Sequence, residues 1–349
     1  MASNTVYDVI PVLGDGFDGP IDQEIPAELG GFLGVRVIDA HGASVQNAPV
    51  QWAAVSGGGQ VLSGPQYTET TTDEHGLALA TVVLGSTVGT QVFSATAGGL
   101  PVLFTGNGRL TPAITPRGIV DAASFTTGRA VAPGSIISIF GSNLADAPGS
   151  ASQFPLPLGI GGVAFSFDVP SAGISLPAHF HYVSPTQINV QVPWELANYS
   201  SASVKVIVNY TYSSLYTLSL AAYAPAFFTY QSSGLTEAAA LDVAYNAVSS
   251  SNAVARGSIV QLFLNGLGPV NHQPADGWPA NDASSTTVAT PTITIGGQPA
   301  TVTFSGLAPG YADLYQVNAV VPSAIATGAQ PITCTIGGVS CPQAVLFVK

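Results

Sequence analysis

The sequence predicts an all-β protein built as three tandem β-sandwiches, and three observations carry that reading. Apolar and polar residues alternate in short runs such as Val35-Arg36-Val37-Ile38-Asp39, Thr292-Ile293-Thr294-Ile295 and Thr301-Val302-Thr303-Phe304, the period of strands with one buried face. The 39 Gly and 26 Pro in 349 residues interrupt these runs throughout and leave little continuous chain for a helix. The second half of the chain also repeats itself, which makes a duplicated module the unit of organisation.

The duplication has two landmarks in the same order. Ala132-Pro133-Gly134-Ser135-Ile136-Ile137-Ser138-Ile139-Phe140, closing on Leu144, recurs as Ala255-Arg256-Gly257-Ser258-Ile259-Val260-Gln261-Leu262-Phe263, closing on Leu267. Gln187-Ile188-Asn189-Val190-Gln191-Val192-Pro193 recurs as Gln316-Val317-Asn318-Ala319-Val320-Val321-Pro322. Domains are therefore expected at 1–110, 115–229 and 230–349, each close to the ~100 residues of an immunoglobulin-like sandwich. Thr105-Gly106-Asn107-Gly108 and the Pro-containing stretch from Leu110 to Pro116 read as the first linker. Residues 235–245 are the best helical candidate, with a strand pair around a turn as the alternative.

Composition narrows the function classes. Charged residues are only 7% of the chain, so its polar surface must come from Ser, Thr, Asn, Gln and Gly, as suits a secreted or surface-displayed β-protein. Seven Lys and Arg against 19 Asp and Glu give a net charge of -12, which repels phosphate backbones and argues against nucleic acid as a partner. No apolar run approaches the ~20 residues of a membrane helix, so membrane insertion is not expected. Met1-Ala2-Ser3-Asn4 has neither a basic start nor an apolar stretch, and Met1 is read as an added start or the edge of a mature fragment, with a cytoplasmic protein as the alternative. The two cysteines flank Thr335-Ile336-Gly337-Gly338-Val339-Ser340. A two-residue Gly337-Gly338 turn would place Ile336 opposite Val339, Thr335 opposite Ser340 and Cys334 opposite Cys341, within reach of a cross-strand disulfide in an oxidising compartment, with two free buried thiols as the alternative.

Two resemblances extend this reading. Val35 to Gly42, Pro49-Val50-Gln51-Trp52, Ser56-Gly57-Gly58-Gly59, Thr71 to Ala78 and Leu84 to Gly89 resemble, in order, the bacterial immunoglobulin-like (Big-1) domain of invasin and intimin type. Asp121-Ala122-Ala123-Ser124-Phe125, Phe140-Gly141-Ser142-Asn143-Leu144, Tyr182 to Asn189, Val192 to Leu196, Gly266 to Val270 and Gly306 to Tyr311 are similar to the Solibacter uncharacterised C-terminal domain family of soil bacteria. The second resemblance implies secreted Ig-like or TIG-like tandem modules on bacterial surface proteins and brings no catalytic residues. It departs at His179-Phe180-His181, where the family has Pro and apolar residues.

Candidate sites are few. His179 and His181 share a strand face and could hold a transition metal with His272 or Asp168 as third ligand; two solvated surface histidines are the alternative. Asp15, Asp18 and Asp22 suggest either a calcium site or a solvated acidic loop, and their spacing is not that of an EF-hand. Trp52 is expected in a sandwich core. Tyr210 and Tyr212 are expected to alternate on one strand, with Tyr216 and Tyr223 nearby and Trp278 further along, and offer either a sugar-stacking surface or packing and interdomain contact. Gly134, Gly257, Gly141 and Gly266 are expected at turns. Gln187 with Asn189 and Gln316 with Asn318 are expected to bond loop backbone as fold determinants. No nucleophile elbow, His-Glu-x-x-His or Cys–His arrangement is present, and any carboxylate pair drawn from Glu195, Glu237, Asp242 or Asp313 would depend on the fold alone.

The leading expectation is a non-catalytic structural or adhesive surface protein whose partners are copies of itself or other surface proteins. Only Lys205 and Lys349 are available to guard strand edges, and the segment from Thr5 to Leu13 is the candidate donor strand for self-assembly. A polysaccharide-binding module using Tyr210, Tyr212 or Trp278 and a metal enzyme at His179 and His181 are the alternatives. No cofactor is expected beyond such an ion.

Overall fold

A computed structural model describes residues 5–24, 31–62, 69–232 and 234–349; the stretch from Met1 to Asn4, read above for a leader, lies outside them. The chain is all-β and forms three tandem immunoglobulin-like sandwiches, with two short 3-10 turns, Pro170–Ala172 and Trp194–Asn198, as the helical elements among the described residues. Residues 235–245 take the strand alternative, with strands Leu235–Ala238 and Ala240–Leu241 and then a turn in which Asp242 accepts the Ala244 and Asn246 amides. By compactness the chain divides into two units, Met1–Pro112 with Ile207–Tyr212, and Ala113–Val206 with Ser213–Lys349.

In the first unit, Asp8–Leu13, Leu33–Ile38, Leu77–Val83 and Gln60–Leu62 form one sheet in that order. Phe17–Pro20, Leu100–Arg109, Gly89–Ala97, Pro49–Ser56 and Glu69–Thr71 form the other. Alternation explains the core: Val35, Val37, Ala80 and Val82 from one sheet meet Val50, Trp52, Phe93 and Phe104 from the other. Trp52 is buried as expected, and its indole N–H donates to Thr70 Oγ1 at 2.8 Å. The segment nominated as a donor strand pairs in its own chain, Asp8–Leu13 running antiparallel to Leu33–Ile38 at the sheet edge.

The linker expectation needs correcting. Thr105-Gly106-Asn107-Gly108 belongs to the strand Leu100–Arg109, and the next strand starts at Ala113. Gly106 sits there because the tip of the Phe17 ring comes up against it: a Cβ would lie 2.5 Å from Phe17 Cζ. Here glycine marks a close approach rather than a break in the chain.

The second unit holds both repeats, and their shared motifs superpose bond by bond. The strands Ile136–Ser142 and Gln187–Gln191 pair with Ile137 opposite Val190 and Phe140 opposite Gln187; in the copy, Ile259–Asn265 and Tyr315–Val320 pair with Val260 opposite Ala319 and Phe263 opposite Gln316. Gly134 N–H donates to Val192 O at 2.8 Å and Gly257 N–H to Val321 O at 2.7 Å. The Ser135 and Ser258 hydroxyls reach back to Ala132 O and Ala255 O at 2.5 and 2.6 Å. Both glycines have positive φ, 73° and 81°, the backbone that L side chains avoid. Gly141 differs from the turn expectation: it lies inside a strand, where a Cβ would fall 2.1 Å from Ala113 O.

The second repeat closes its two layers through the ten-residue strand Gln298–Leu307. Its start pairs with Thr292–Ile295 and its remainder with Tyr315–Val320, across a register shift between Val302 and Phe304. One core results, with Val260, Leu262 and Val317 facing Ile293, Ile332 and Leu346. Trp194, contributed by the first repeat, is part of that same core.

Candidate functional site

The polar residues that the fold brings together lie along the seam where the two repeats pack inside the second unit. In the strand His179–Val183 Phe180 and Val183 are fully buried while His179 and His181 stay partly exposed, with a register shift against Gln187–Gln191 between Phe180 and Tyr182. His179 Nδ1 is 2.8 Å from Leu156 O, and since a carbonyl only accepts, Nδ1 carries the proton. Leu156 N–H in turn donates to Gly277 O at 2.8 Å, and Gly277 N–H donates to Gln191 Oε1 at 2.6 Å. The His179 ring lies against Gly277 so closely that a Cβ there would be 2.3 Å from Nδ1. Only glycine fits between the ring and the second repeat.

His181 meets the second repeat through charge. Its Nε2 is 3.0 and 3.1 Å from the two carboxylate oxygens of Asp313, whose side chain is fully buried. Burial works against the imidazolium, but the Asp313 carboxylate, by charge and hydrogen bond together, outweighs it and holds the His181 pKa above its ordinary value. Next along the seam, Asp276 Oδ1 accepts the Trp194 N–H at 3.2 Å. Burial, then a hydrogen bond to Glu195 and the charge of that carboxylate, push the Asp276 carboxyl up to about 7.

Asn265 completes the seam by imitating a strand. Its Oδ1 accepts the Ile136 N–H at 3.0 Å and its Nδ2 donates to Ile136 O at 2.7 Å, the two bonds that a neighbouring backbone would make. Arg129 adds a tie on the same unit, donating to Pro225 O at 3.1 Å and Ser340 O at 3.3 Å.

The other candidates fall apart from this group. Asp168 is taken by Ser175 at 2.6 Å, Ser166 at 3.1 Å and Lys205 at 3.6 Å, and His272 offers its backbone carbonyl to Ser285. Neither bonds His179 or His181, and among the described residues no three His, Cys, Asp or Glu converge in a way that could hold a metal ion. Asp15 accepts from Thr105 N–H and hydroxyl, Asp18 from Asn107 at 2.6 Å and Arg109 at 3.0 Å, and Asp22 lies exposed at a φ of 57°. Tyr210 occupies the Asn209-Tyr210 hairpin turn rather than a strand, with positive φ at both residues, and Tyr212 stands on the short strand Thr211–Tyr212. Trp278 is half exposed, whereas Tyr223 packs against the core of the second repeat.

The repeated amides also depart from expectation. Gln187 Nε2 donates to Asn189 Oδ1 at 2.9 Å, and Gln316 Nε2 to Asn318 Oδ1 at 2.8 Å. They bond each other along one strand face rather than loop backbone. Glu237 is buried under the Tyr230 hydroxyl at 2.8 Å, and Asp242 organises its own turn. Of the four carboxylates singled out in the sequence, Glu195 and Asp313 enter the seam, with Asp276 and Asn265 as members that sequence reading missed. Nothing local marks those two, because their partners lie more than eighty positions away in the chain.

Cys334 and Cys341 are free thiols in the positions the hairpin register assigns: Thr335 faces Ser340, Ile336 faces Val339, and Cys341 N–H donates to Cys334 O at 2.8 Å.

No family model and no curated protein matches the chain. Three solved structures show how far the likeness in fold reaches. Invasin, a bacterial integrin-binding protein, is 14% identical over 98% of this chain at a TM-score of 0.26, and the chain spans 60% of that protein's length. Domains 5–6 of the S-layer protein SbsC are 10% identical, covering 99% of this chain and 97% of that one, at a TM-score of 0.24. The Bacteroides ovatus mixed-linkage glucan protein SGBP-B is 11% identical, covering 98% and 70%, at a TM-score of 0.30. The Big-1 and Solibacter resemblances therefore rest on their sequence motifs.

Proposed function

We propose that this chain is a non-catalytic structural or adhesive component of a bacterial surface, in which the duplicated sandwiches act as one stiff body. The observation that carries the reading is the seam. Trp194 of one repeat sits in the core of the other, and Asn265, Gln191, His181 and Asp313 join the repeats by side chains that are largely removed from solvent. An inter-domain contact of this polar and specific kind fixes orientation, which a spacer or adhesin needs and a flexible linker does not give. The titratable groups brought together, His181, Asp313, Asp276 and Glu195, each face a partner across the seam, which supports a bracing role over a catalytic one.

Protease accessibility and immunolabelling of intact cells test the reading. Surface labelling, with loss of envelope integrity or attachment on deletion of the gene, is expected; a protein confined to the cytoplasm contradicts it. Self-association through strand edges is a separate element of the proposal, supported by the exposed edge strand Asp8–Leu13 with Ile10, Val12 and Leu13 on its surface. Sedimentation velocity over a wide concentration range is expected to show oligomers, and a strict monomer would leave the spacer role without the assembly.

A further inference from the structure

The second unit carries an open cleft of about 500 Å³, within the range of small-ligand sites. One wall is the loop that follows Asp121 in the first repeat, and the other is the hairpin of strands Thr229–Ser232 and Leu235–Ala238 in the second. None of its lining residues is charged. Three aromatic residues line it: Phe227 is buried, while Phe125 is 49% exposed and Tyr230 38% exposed.

Phe125 is the residue that folding does not explain. Its φ is 55°, a left-handed backbone that costs a bulky L residue about 1–2 kcal/mol, and about half of the residue's surface is left in water. Glycine or asparagine would serve the turn better. The conformation is nonetheless built firmly. The buried Asp121 carboxylate accepts the Ala123 and Ser124 amides and the Ser124 hydroxyl at 3.1, 2.7 and 2.7 Å, and Phe125 N–H donates to Asp121 O at 3.2 Å. The Phe125 ring leans on Phe140 at 6.1 Å between centroids. Opposite, Tyr230 is anchored through its hydroxyl, 2.8 Å from both Glu237 Oε2 and Val248 O, so its ring is held still. Gln231 Nε2 donates to Thr236 Oγ1 at 2.9 Å, which leaves the Gln231 carbonyl and the Thr236 hydroxyl proton for a ligand.

We infer that this cleft binds an uncharged saccharide. A pyranose ring presents an apolar C–H face and a rim of hydroxyls, and it needs a fixed aromatic platform with neutral amide and hydroxyl groups around it. Phe125 and Tyr230 supply the platform, and Gln231, Thr236 and the exposed Gln343 supply the rim. An anionic ligand finds no counter-charge here, and the chain's net charge of -12 disfavours one further. The site is distinct from Tyr210, Tyr212 and Trp278, none of which lines it. It is also independent of the bracing role, because the seam bonds do not involve Phe125 or Tyr230.

The test is affinity electrophoresis of the full chain in native gels containing hydroxyethylcellulose, mixed-linkage β-glucan, galactomannan or arabinoxylan. The wild type is expected to be retarded by at least one of them. Phe125→Ala should weaken that binding ten-fold or more, whereas Trp278→Ala, at an exposed ring outside the cleft, should stay within about two-fold. If Phe125→Ala melts markedly earlier than the wild type, Gln231→Ala, on an exposed position, replaces it and is expected to lose binding several-fold. No retardation by any of the four polymers overturns the inference, as does equal retardation of the wild type, Phe125→Ala and Gln231→Ala. Concentration-dependent dimerisation lost in Phe125→Ala without any sugar binding would assign the cleft to a second copy of the chain and also overturn it.

Discussion

His181 Nε2 lies 3.0 Å from Asp313 Oδ2 across the seam, a histidine of the first repeat paired with a fully buried carboxylate of the second. The pair makes the cohesion of the two repeats depend on protons. Because the folded pKa of His181 is raised, its contribution is fully present below the ordinary imidazole value of 6.5 and is lost as pH rises through the folded value. Asp276 acts in the same direction. Its carboxyl is raised from 3.8 to about 7, so the fold keeps a proton that the unfolded chain gives up, and stability falls as pH climbs between those values.

Thermal unfolding of the second unit should therefore shift down by several degrees between pH 5 and pH 8, since about 1 kcal/mol moves the melting point of a unit this size by about 2–4 °C. The buried Asp39 and the exposed Asp73 of the first unit, with pKa values lowered chiefly by backbone N–H groups, titrate below that window and add no slope within it. Asp276→Asn keeps an acceptor for the Trp194 amide and removes the ionisation, so it should flatten the pH dependence. Melting that is constant from pH 5 to 8, or that rises, contradicts this account.

The paired glycines of the duplicated motif separate backbone strain from packing. Both have positive φ, but a Cβ at Gly134 would lie 2.0 Å from the Trp194 ring, whereas nothing lies within 4 Å of one at Gly257. Gly257→Ala should cost about 1 kcal/mol for strain alone. Gly134→Ala should cost about 2–4 kcal/mol, with overpacking added. Urea denaturation of the two variants measures the gap, and equal losses would show that Trp194 yields freely.

Asn265→Ala removes both bonds to the Ile136 backbone and leaves that N–H and C=O without their partner in a half-buried site. The expected loss is about 2–3 kcal/mol, well beyond that of an ordinary side-chain truncation at a strand end. A loss under about 0.5 kcal/mol in the same urea titration would mean that water replaces the amide at little cost.

Cys334 and Cys341 are opposed directly across a two-stranded hairpin, within disulfide reach. Burial, then the hydrogen bond and charge of Cys334, raise the Cys341 pKa, so the folded Cys341 thiol stays protonated and is slow to attack a disulfide. Oxidation should therefore proceed while the hairpin is open. Refolding with oxidised glutathione as acceptor is expected to give a chain lighter by two hydrogens and unreactive to alkylation, with two reduced glutathiones released per bond. Two alkylatable thiols after such refolding would refute the pairing.

Much of the fold was legible because strand period, turn residues and repeated motifs are local signals. The hairpin register at Cys334, the core position of Trp52 and the equivalence of Gly134 with Gly257 all follow from counting along the chain. The misreadings share one cause. Gly106 and Gly141 were read as breaks or turns, but each is glycine because another part of the molecule, the Phe17 ring or the Ala113 carbonyl, comes too close for a side chain. The seam was hidden for the same reason. His179-Phe180-His181 stood out as an oddity, yet its meaning depends on Asp313 and Gly277 in the other repeat, and Asn265 and Asp276 have no signature apart from their distant partners.

Native-state hydrogen exchange read by mass spectrometry on the full chain tests the central claim, that the duplicated sandwiches form one cooperative body. The amides of Ile136–Ser142 and Ile259–Asn265 are expected to open together, with one common free energy that falls in parallel for both strands in Asn265→Ala. Two distinct opening free energies, with only one of them moved by the substitution, would show two sandwiches that merely touch.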